Sequence, residues 1–281
     1  MKANAAESGR MEVDCNAKMD KGLCENVDRR AEGGIWGQAP LCVGLQGSCM
    51  RGEAGENSDI DIMAVLDSLS PVDMDAYRRV VKSLEYADRS CGFLCGRGEL
   101  AGWNRCEICH LLHTTLDCFG ELSKLVPEYT RADVLAYVQI MTGNLYHALC
   151  HSRVHGFVPL QECGSALQEK TEGKEKATGM EADSGREADS AGKASWENML
   201  PEAFKQAFFI LQNKQYLESG CFAVSKAELL GLVDGADEQV LKEAMGGQDS
   251  PAQERFALLF DWCRQTLFRA EAAVCADRRK E

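Results

Sequence analysis

No apolar run in this sequence approaches the roughly 18 residues that a membrane-spanning helix needs. The first eight residues are equally short of the apolar core of a secretory signal. Positive charge is scarce: 31 Lys and Arg stand against 44 Asp and Glu, a formal net charge of −13. That balance argues against a broad electrostatic grip on extended nucleic acid, which calls for a basic face. It leaves room for a local basic pocket around a single nucleotide. Tandem repeats are missing too, apart from Glu-Ala-Asp-Ser at 181–184 and again at 187–190. Cysteine is abundant. Fourteen cysteines without an export signal read as reduced thiols in a soluble, cytoplasmic protein. A length of 281 residues, 45% of them hydrophobic, suffices for two modest domains.

Residues 1–35 are polar and of mixed charge, a loose start with one short helix near 21–31. Residues 41–45 form a short apolar run that fits a buried strand. A Gly-rich turn over 51–57 leads into a second strand that stays apolar to Leu66. Ser70, Pro71 and Asp73 mark a helix start, after which Met74, Tyr77, Val81 and Leu84 recur at helical spacing. Residues 92–95 read as another short strand, ended by Gly96 and Gly98. Residues 107–113 read as helix or loop, and 114–119 as a strand ended by Gly120.

Thr130 and Asp133 open a helix that carries Val134, Val138, Met141, Leu145 and Leu149 on one side. Segment 161–195 differs in kind. It is rich in Glu, Lys, Gly, Ser and Ala and almost empty of large apolar side chains, the composition of a disordered insertion. Helical pattern resumes at Trp196 with Phe204, Phe208 and Leu211. Ser225 and Glu228 form a capping box. Ser250 and Pro251 start a last helix with Phe256, Leu259, Phe260, Cys263 and Leu267 inward. The C-terminal half therefore reads as a helical bundle.

The chemistry concentrates in residues 41–65. Gly47-Ser48 follows the first strand, and Asp59-Ile60-Asp61 opens the second. Alternate strand residues share a face, so Asp59 and Asp61 stand together while Ile60 and Ile62 enter a core. Two carboxylates so close repel unless a cation lies between them. Mg2+ favours such oxygens together with substrate phosphates. Gly47 permits close backbone approach to a phosphate, and Ser48 offers a hydroxyl and an N–H to bind it. The set suits metal-assisted phosphoryl or nucleotidyl transfer.

Gly47-Ser48, Arg51-Gly52 and Ser58-Asp59-Ile60-Asp61, in this order and spacing, resemble the signature of the DNA polymerase beta-like nucleotidyltransferase superfamily. The likeness is to its small bacterial members and covers about residues 37–120. It implies an α/β (α+β) nucleotidyltransferase core with a small mixed sheet over 36–125. An α-helical bundle over 126–281, interrupted at 161–195, is expected to follow. It also implies Mg2+ (or Mn2+) held by Asp59 and Asp61. A nucleoside triphosphate, ATP first, is expected to be bound by Gly47, Ser48, Arg51 and Ser58. Arg51 suits a phosphate by its planar fork or is a solvated loop residue. Ser58 alternatively caps the turn before the aspartates. The expected acceptor is a hydroxyl of a small, antibiotic-like molecule or of a protein.

The resemblance further implies a third carboxylate from a later strand, and here the sequence departs from the pattern. Strand 91–95 has no acid. Glu99, just beyond it, is the favoured catalytic candidate, with Glu107 and Asp117 behind. If none serves, the alternative is a non-catalytic nucleotide-binding or regulatory protein. Gln46, where an apolar residue is usual, is a milder departure.

Two further clusters invite metal readings. Cys106-Glu-Ile-Cys109-His110 has the spacing of a c-type haem attachment, but that chemistry needs export. Cys91, Cys95, Cys106 and Cys109 have acceptable zinc spacing; the blander reading is buried core cysteines. His147, His151 and His155 are spaced i, i+4, i+8, either a polar boundary of the bundle, a cleft-facing stripe or i,i+4 metal ligands. An Arg-x(4–6)-His ribonuclease motif does not occur at Arg131 or Arg153.

Overall fold

The computed structural model describes residues 38–55, 58–83, 86–156, 196–246 and 250–277. The short helix expected near 21–31 and the low-complexity segment 161–195 lie outside the described residues. The chain forms two compact units. One holds the residues up to Tyr137 with Gln212–Leu232; the other holds Val138–Leu211 and the residues from Val233 on.

In the first unit the order is β1 (Cys42–Leu45), α1 (Gly47–Arg51), β2 (Ile60–Leu66), α2 (Pro71–Lys82) and β3 (Ser90–Gly96). Then come α3 (Arg97–Ala101), α4 (Arg105–His113), β4 (Leu116–Phe119) and a 3-10 turn over Leu122–Lys124. The strands make one four-stranded sheet ordered β3-β2-β1-β4. β1 runs antiparallel to β2 and β4, and β2 runs parallel to β3, so the sheet is small and mixed as expected.

Alternation along β2 explains why the sheet is covered on both faces. Ile60, Ile62, Ala64 and Leu66 join Val43, Leu45 and Val80 in one core. Met63 and Val65 join Cys42, Cys95, Leu100 and Leu122 in another. A strand buried on both faces reads as a continuous apolar run, which is how β2 reads after Asp61. Helix α2 starts where Ser70 and Asp73 close a capping box. The Ser70 hydrogen bonds hold the Asp73 carboxyl below its ordinary range. Its buried stripe differs from the expected one: Ala76 and Val80 face the sheet, Tyr77 is half-buried, and Met74 is 48% exposed.

Residues 107–113 are helix, within α4, and Leu116–Phe119 is strand. Helices α1 and α3 were not foreseen, since five-residue helices leave little periodicity to read.

Helices α5 (Arg131–His155) and α6 (Leu200–Ser219) contribute to both units. A 3-10 turn over Trp196–Met199 precedes α6. α7 (Lys226–Leu230) begins at the Ser225–Glu228 capping box. The second unit adds α8 (Gly235–Ala244) and α9 (Ala252–Asp277). Its buried side chains include Leu145 and Leu149 of α5, Phe204 and Phe208 of α6, Val240 and Leu241 of α8, and Leu259, Trp262 and Cys263 of α9. Phe256 and Phe260 are only half-buried, because Trp262 takes the inward position. Its indole Nε1 donates to Asp237 at 2.6 Å. Arg255 donates through Nε to Glu243 at 2.7 Å, a carboxylate only 3% exposed. A helical region thus follows the mixed sheet, and among the described residues no helix is long and apolar enough to cross a membrane.

Candidate functional site

The site grows from the β1–β2 pairing. Leu45 pairs with Ile62, so Gln46 comes to lie beside Asp61, and its N–H donates to the Asp61 carbonyl at 2.8 Å. The chain then turns into α1 at Gly47, whose φ is +68°. A side chain is strained at that φ, and a methyl group built on Gly47 would overlap Asp61 Oδ2. The Asp61 carboxylate therefore packs against a bare α-carbon. Ser48 is the next residue of α1. Asp59, one residue before β2, is exposed, and its carbonyl accepts from the Cys49 thiol at 3.5 Å. Gly47 and Asp61 are thus brought together, with Ser48 following Gly47 in the chain and Asp59 exposed just before β2.

Ser58 and Arg51 are engaged within the protein. Ser58 Oγ accepts from the Gly55 N–H at 2.9 Å, the turn-capping alternative. Arg89 braces the same turn, donating from Nε and Nη2 to the Ser58 carbonyl at 3.0 and 2.8 Å. Arg51 is buried, its side chain 8% exposed, and Nε meets Glu53 Oε2 at 2.9 Å. The other Glu53 oxygen accepts from the Lys226 N–H at 2.6 Å. One carboxylate thereby ties the end of α1 to the start of α7.

Register decides where the candidate third acids fall. Asp61 pairs with Cys91, and Leu66 pairs with Gly96. Gly96 is five residues further along, about 16 Å at strand spacing. Glu99 lies beyond it in α3, and its carboxylate folds back over Gly96, where an added methyl would overlap Oε2. The structure does not bring Glu99 to the aspartate pair. Glu107 of α4 accepts from Trp103 Nε1 at 2.7 Å. Asp117 of β4 accepts from the Leu122 N–H at 3.3 Å and meets the Cys42 thiol at 3.8 Å. Burial first, and Asp117 second, push that thiol up to about 12. Gln46 donates to Thr115 Oγ1 at 2.8 Å, so the unusual polar residue links the start of α1 to the segment before β4.

The residue beside Asp61 on β3 is Cys91, and it is exposed. Only the β2–β3 register reveals it, and spacing alone carries no signal for it. Spacing does not show that His110, the histidine of the Cys-x-x-Cys-His run, is half-buried and packed among aromatic rings. The His110 ring stacks on Tyr137 at 5.6 Å between centroids, and its Nδ1 meets Asn213 Nδ2 at 3.0 Å. Burial pushes its pKa down to about 4, with the Arg51 and His113 charges adding to the shift. His113 stacks on Phe222 at 4.5 Å, and burial lowers its pKa as well. The Cys-x-x-Cys-His spacing thus belongs to a helix whose Cys106, Cys109 and His110 face the interior.

Among the described residues no three His, Cys, Asp or Glu side chains gather as a metal-binding group. Asp59 and Asp61 remain a two-carboxylate set. Mg2+ is usually bound by one or two carboxylates plus substrate phosphates, so this donor set fits an ion that arrives with a nucleotide. The Asp61 carboxylate occupies the place a side chain at Gly47 would take, so only glycine at that position leaves it there. A cavity of about 330 Å³ in the same unit is lined by Tyr129, Arg131, Tyr216 and Leu217 and contains neither aspartate.

No family model matches the chain, and no curated protein matches it. Among solved structures it is similar to spectinomycin adenyltransferase AAD(9) from Enterococcus faecialis, determined with ATP and spectinomycin. That likeness has a TM-score of 0.49 and 10% identity, over 89% of this chain and 98% of the other.

Proposed function

We propose that the protein is a metal-dependent nucleotidyltransferase that moves a nucleoside monophosphate from an NTP, ATP first, to a hydroxyl of a small molecule. The observation that supports this reading is the Asp61 carboxylate packed against the bare α-carbon of Gly47, the residue before Ser48, with Asp59 exposed two residues before Asp61 on the chain. The transferase domain is expected over 36–125 and the helical domain over 126–281, although the sheet's compact unit also takes in residues to Tyr137 and Gln212–Leu232. Asp59 and Asp61 would hold Mg2+ or Mn2+, which when bound neutralises charge on the triphosphate. Gly47 and Ser48 bind and orient the phosphates. Arg51, turned inward by Glu53, anchors the loop that carries them. The acceptor hydroxyl attacks the α-phosphorus, the bond to the β-phosphate bridging oxygen breaks, and pyrophosphate leaves. The acidic balance favours a cationic acceptor.

A second reading has its own support. No third carboxylate joins Asp59 and Asp61 among the described residues, which suits a nucleotide-binding protein without turnover. The deciding measurement is pyrophosphate release from each NTP with Mg2+ or Mn2+, against an acceptor panel of aminoglycosides, other polyols and proteins. Metal-dependent release with one acceptor supports the transferase. Nucleotide binding without release under every condition supports the second reading, and absence of both overturns each.

A further inference from the structure

We infer that His151 and His155, on the last two turns of α5, form a surface chelate for a borderline divalent transition metal such as Ni2+, Zn2+ or Cu2+. Both rings are exposed, and they project from one helix face at i and i+4. Two imidazoles on one ion place their ring centres about 4.5–5.2 Å apart, given N–metal bonds of about 2.0–2.1 Å and an angle of about 90–110°. The His151 and His155 centroids are 4.9 Å apart, with ring planes at 52°. The His147–His151 pair, at 6.1 Å, is too wide for the same grip. The ring spacing therefore suits a chelate at only one of the two i,i+4 steps of the stripe.

Two surroundings favour the ion. α5 ends at His155, and the C-terminal end of a helix carries the negative pole of its dipole, which stabilises cations. The nearest fixed cation on the helix is turned away: Arg153 stacks over Trp196 at 4.3 Å and donates to Gln253 at 2.8 Å. With no third side chain of the right kind among the described residues, water completes the coordination. Imidazole, rather than carboxylate, selects this class of metal over Mg2+. The site is thus separate in chemistry from the aspartate pair. A metal spanning these turns staples the end of α5.

The test is calorimetric titration of the full, untagged, reduced chain with Ni2+ alone, compared among variants so that thiol binding elsewhere cancels. His151→Ala and His155→Ala each remove one arm of the chelate, and each is expected to weaken one site by about a hundredfold. His147→Ala is expected to leave it unchanged, and so is Cys150→Ser, which controls for the neighbouring thiol. Circular dichroism checks that the exposed substitutions keep the fold. Wild-type Ni2+ binding in both His151→Ala and His155→Ala overturns the assignment. So does loss of the site in Cys150→Ser, or the absence of any Ni2+ site in the wild type.

Discussion

The Asp61 carboxylate rests on the α-carbon of Gly47, at the point where β1 turns into α1. Glycine is required there twice over, by its φ of +68° and by the carboxylate that fills the place of a side chain. Gly47→Ala is expected to cost about 1 kcal/mol from the left-handed backbone alone. It also displaces Asp61, so nucleotide-dependent activity should fall far more than stability does. Thermal melts beside pyrophosphate assays separate the two effects.

Asp59→Asn and Asp61→Asn test the metal-holding role directly. Each amide keeps shape and removes charge. Turnover is expected to vanish in both while circular dichroism and melting temperature stay near wild type. Wild-type rates in either variant would remove that residue from the metal site.

The source of the third acid is tested by amides and by a gain of charge. A general base is worth roughly 10²–10⁴-fold in rate. Register carries Gly96, over which the Glu99 carboxylate folds, five residues past the pairing level of Asp61, so Glu99→Gln is expected to leave the rate within about twofold, well short of a base's contribution. Glu107→Gln and Asp117→Asn complete the series; the acid that matters loses rate with nucleotide binding intact. Cys91 pairs with Asp61 across β2 and β3. Cys91→Asp is therefore expected to tighten Mg2+ binding, read as the half-saturating Mg2+ concentration for nucleotide binding. An unchanged Mg2+ dependence would show that this position does not reach the ion.

His110 should dominate the acid limb of stability in its unit. Its pKa falls from an ordinary 6.5 to about 4 in the folded chain, so between those values the unfolded state binds more protons and stability rises with pH. Above pH 6.5 there is no penalty; it grows as pH falls through that value and is complete below about 4, reaching about 3 kcal/mol. His110→Gln should flatten this part of the curve of denaturation midpoint against pH. A slope identical to wild type would mean that other groups carry it.

Glu243 is almost fully buried against Arg255. Removing one partner of a buried pair leaves an uncompensated charge, at a cost of about 3–5 kcal/mol. Arg255→Met is expected to destabilise by that order in chemical denaturation. Changing the exposed Lys242–Glu238 pair should cost less than about 1 kcal/mol.

Much of the scaffold was legible in the sequence, because its signals are local. Ser70, Thr130 and Ser225 satisfy backbone donors within three residues of themselves, so three helix starts could be read without knowing any neighbour. The alternation of Ile60 and Ile62 against Asp61 fixes a face by strand geometry alone.

What the tertiary structure decided are relations between distant residues. Whether Glu99 or Cys91 stands near Asp61 depends on how β3 registers against β2, and a shift of pairing moves every side chain along the sheet. Arg51 reads as a free phosphate ligand until Glu53 is seen to hold both it and the first residue of α7. Cys106 and Cys109 allow a metal motif or plain core cysteines by spacing, and the packing of α4 decides for the core, where burial keeps the thiols protonated and the neighbouring His110 imidazole neutral. Local spacing determines which chemistry a segment can offer. Packing against residues far along the chain determines which of those groups reaches a substrate, because burial and register are properties of the assembled sheet and helices.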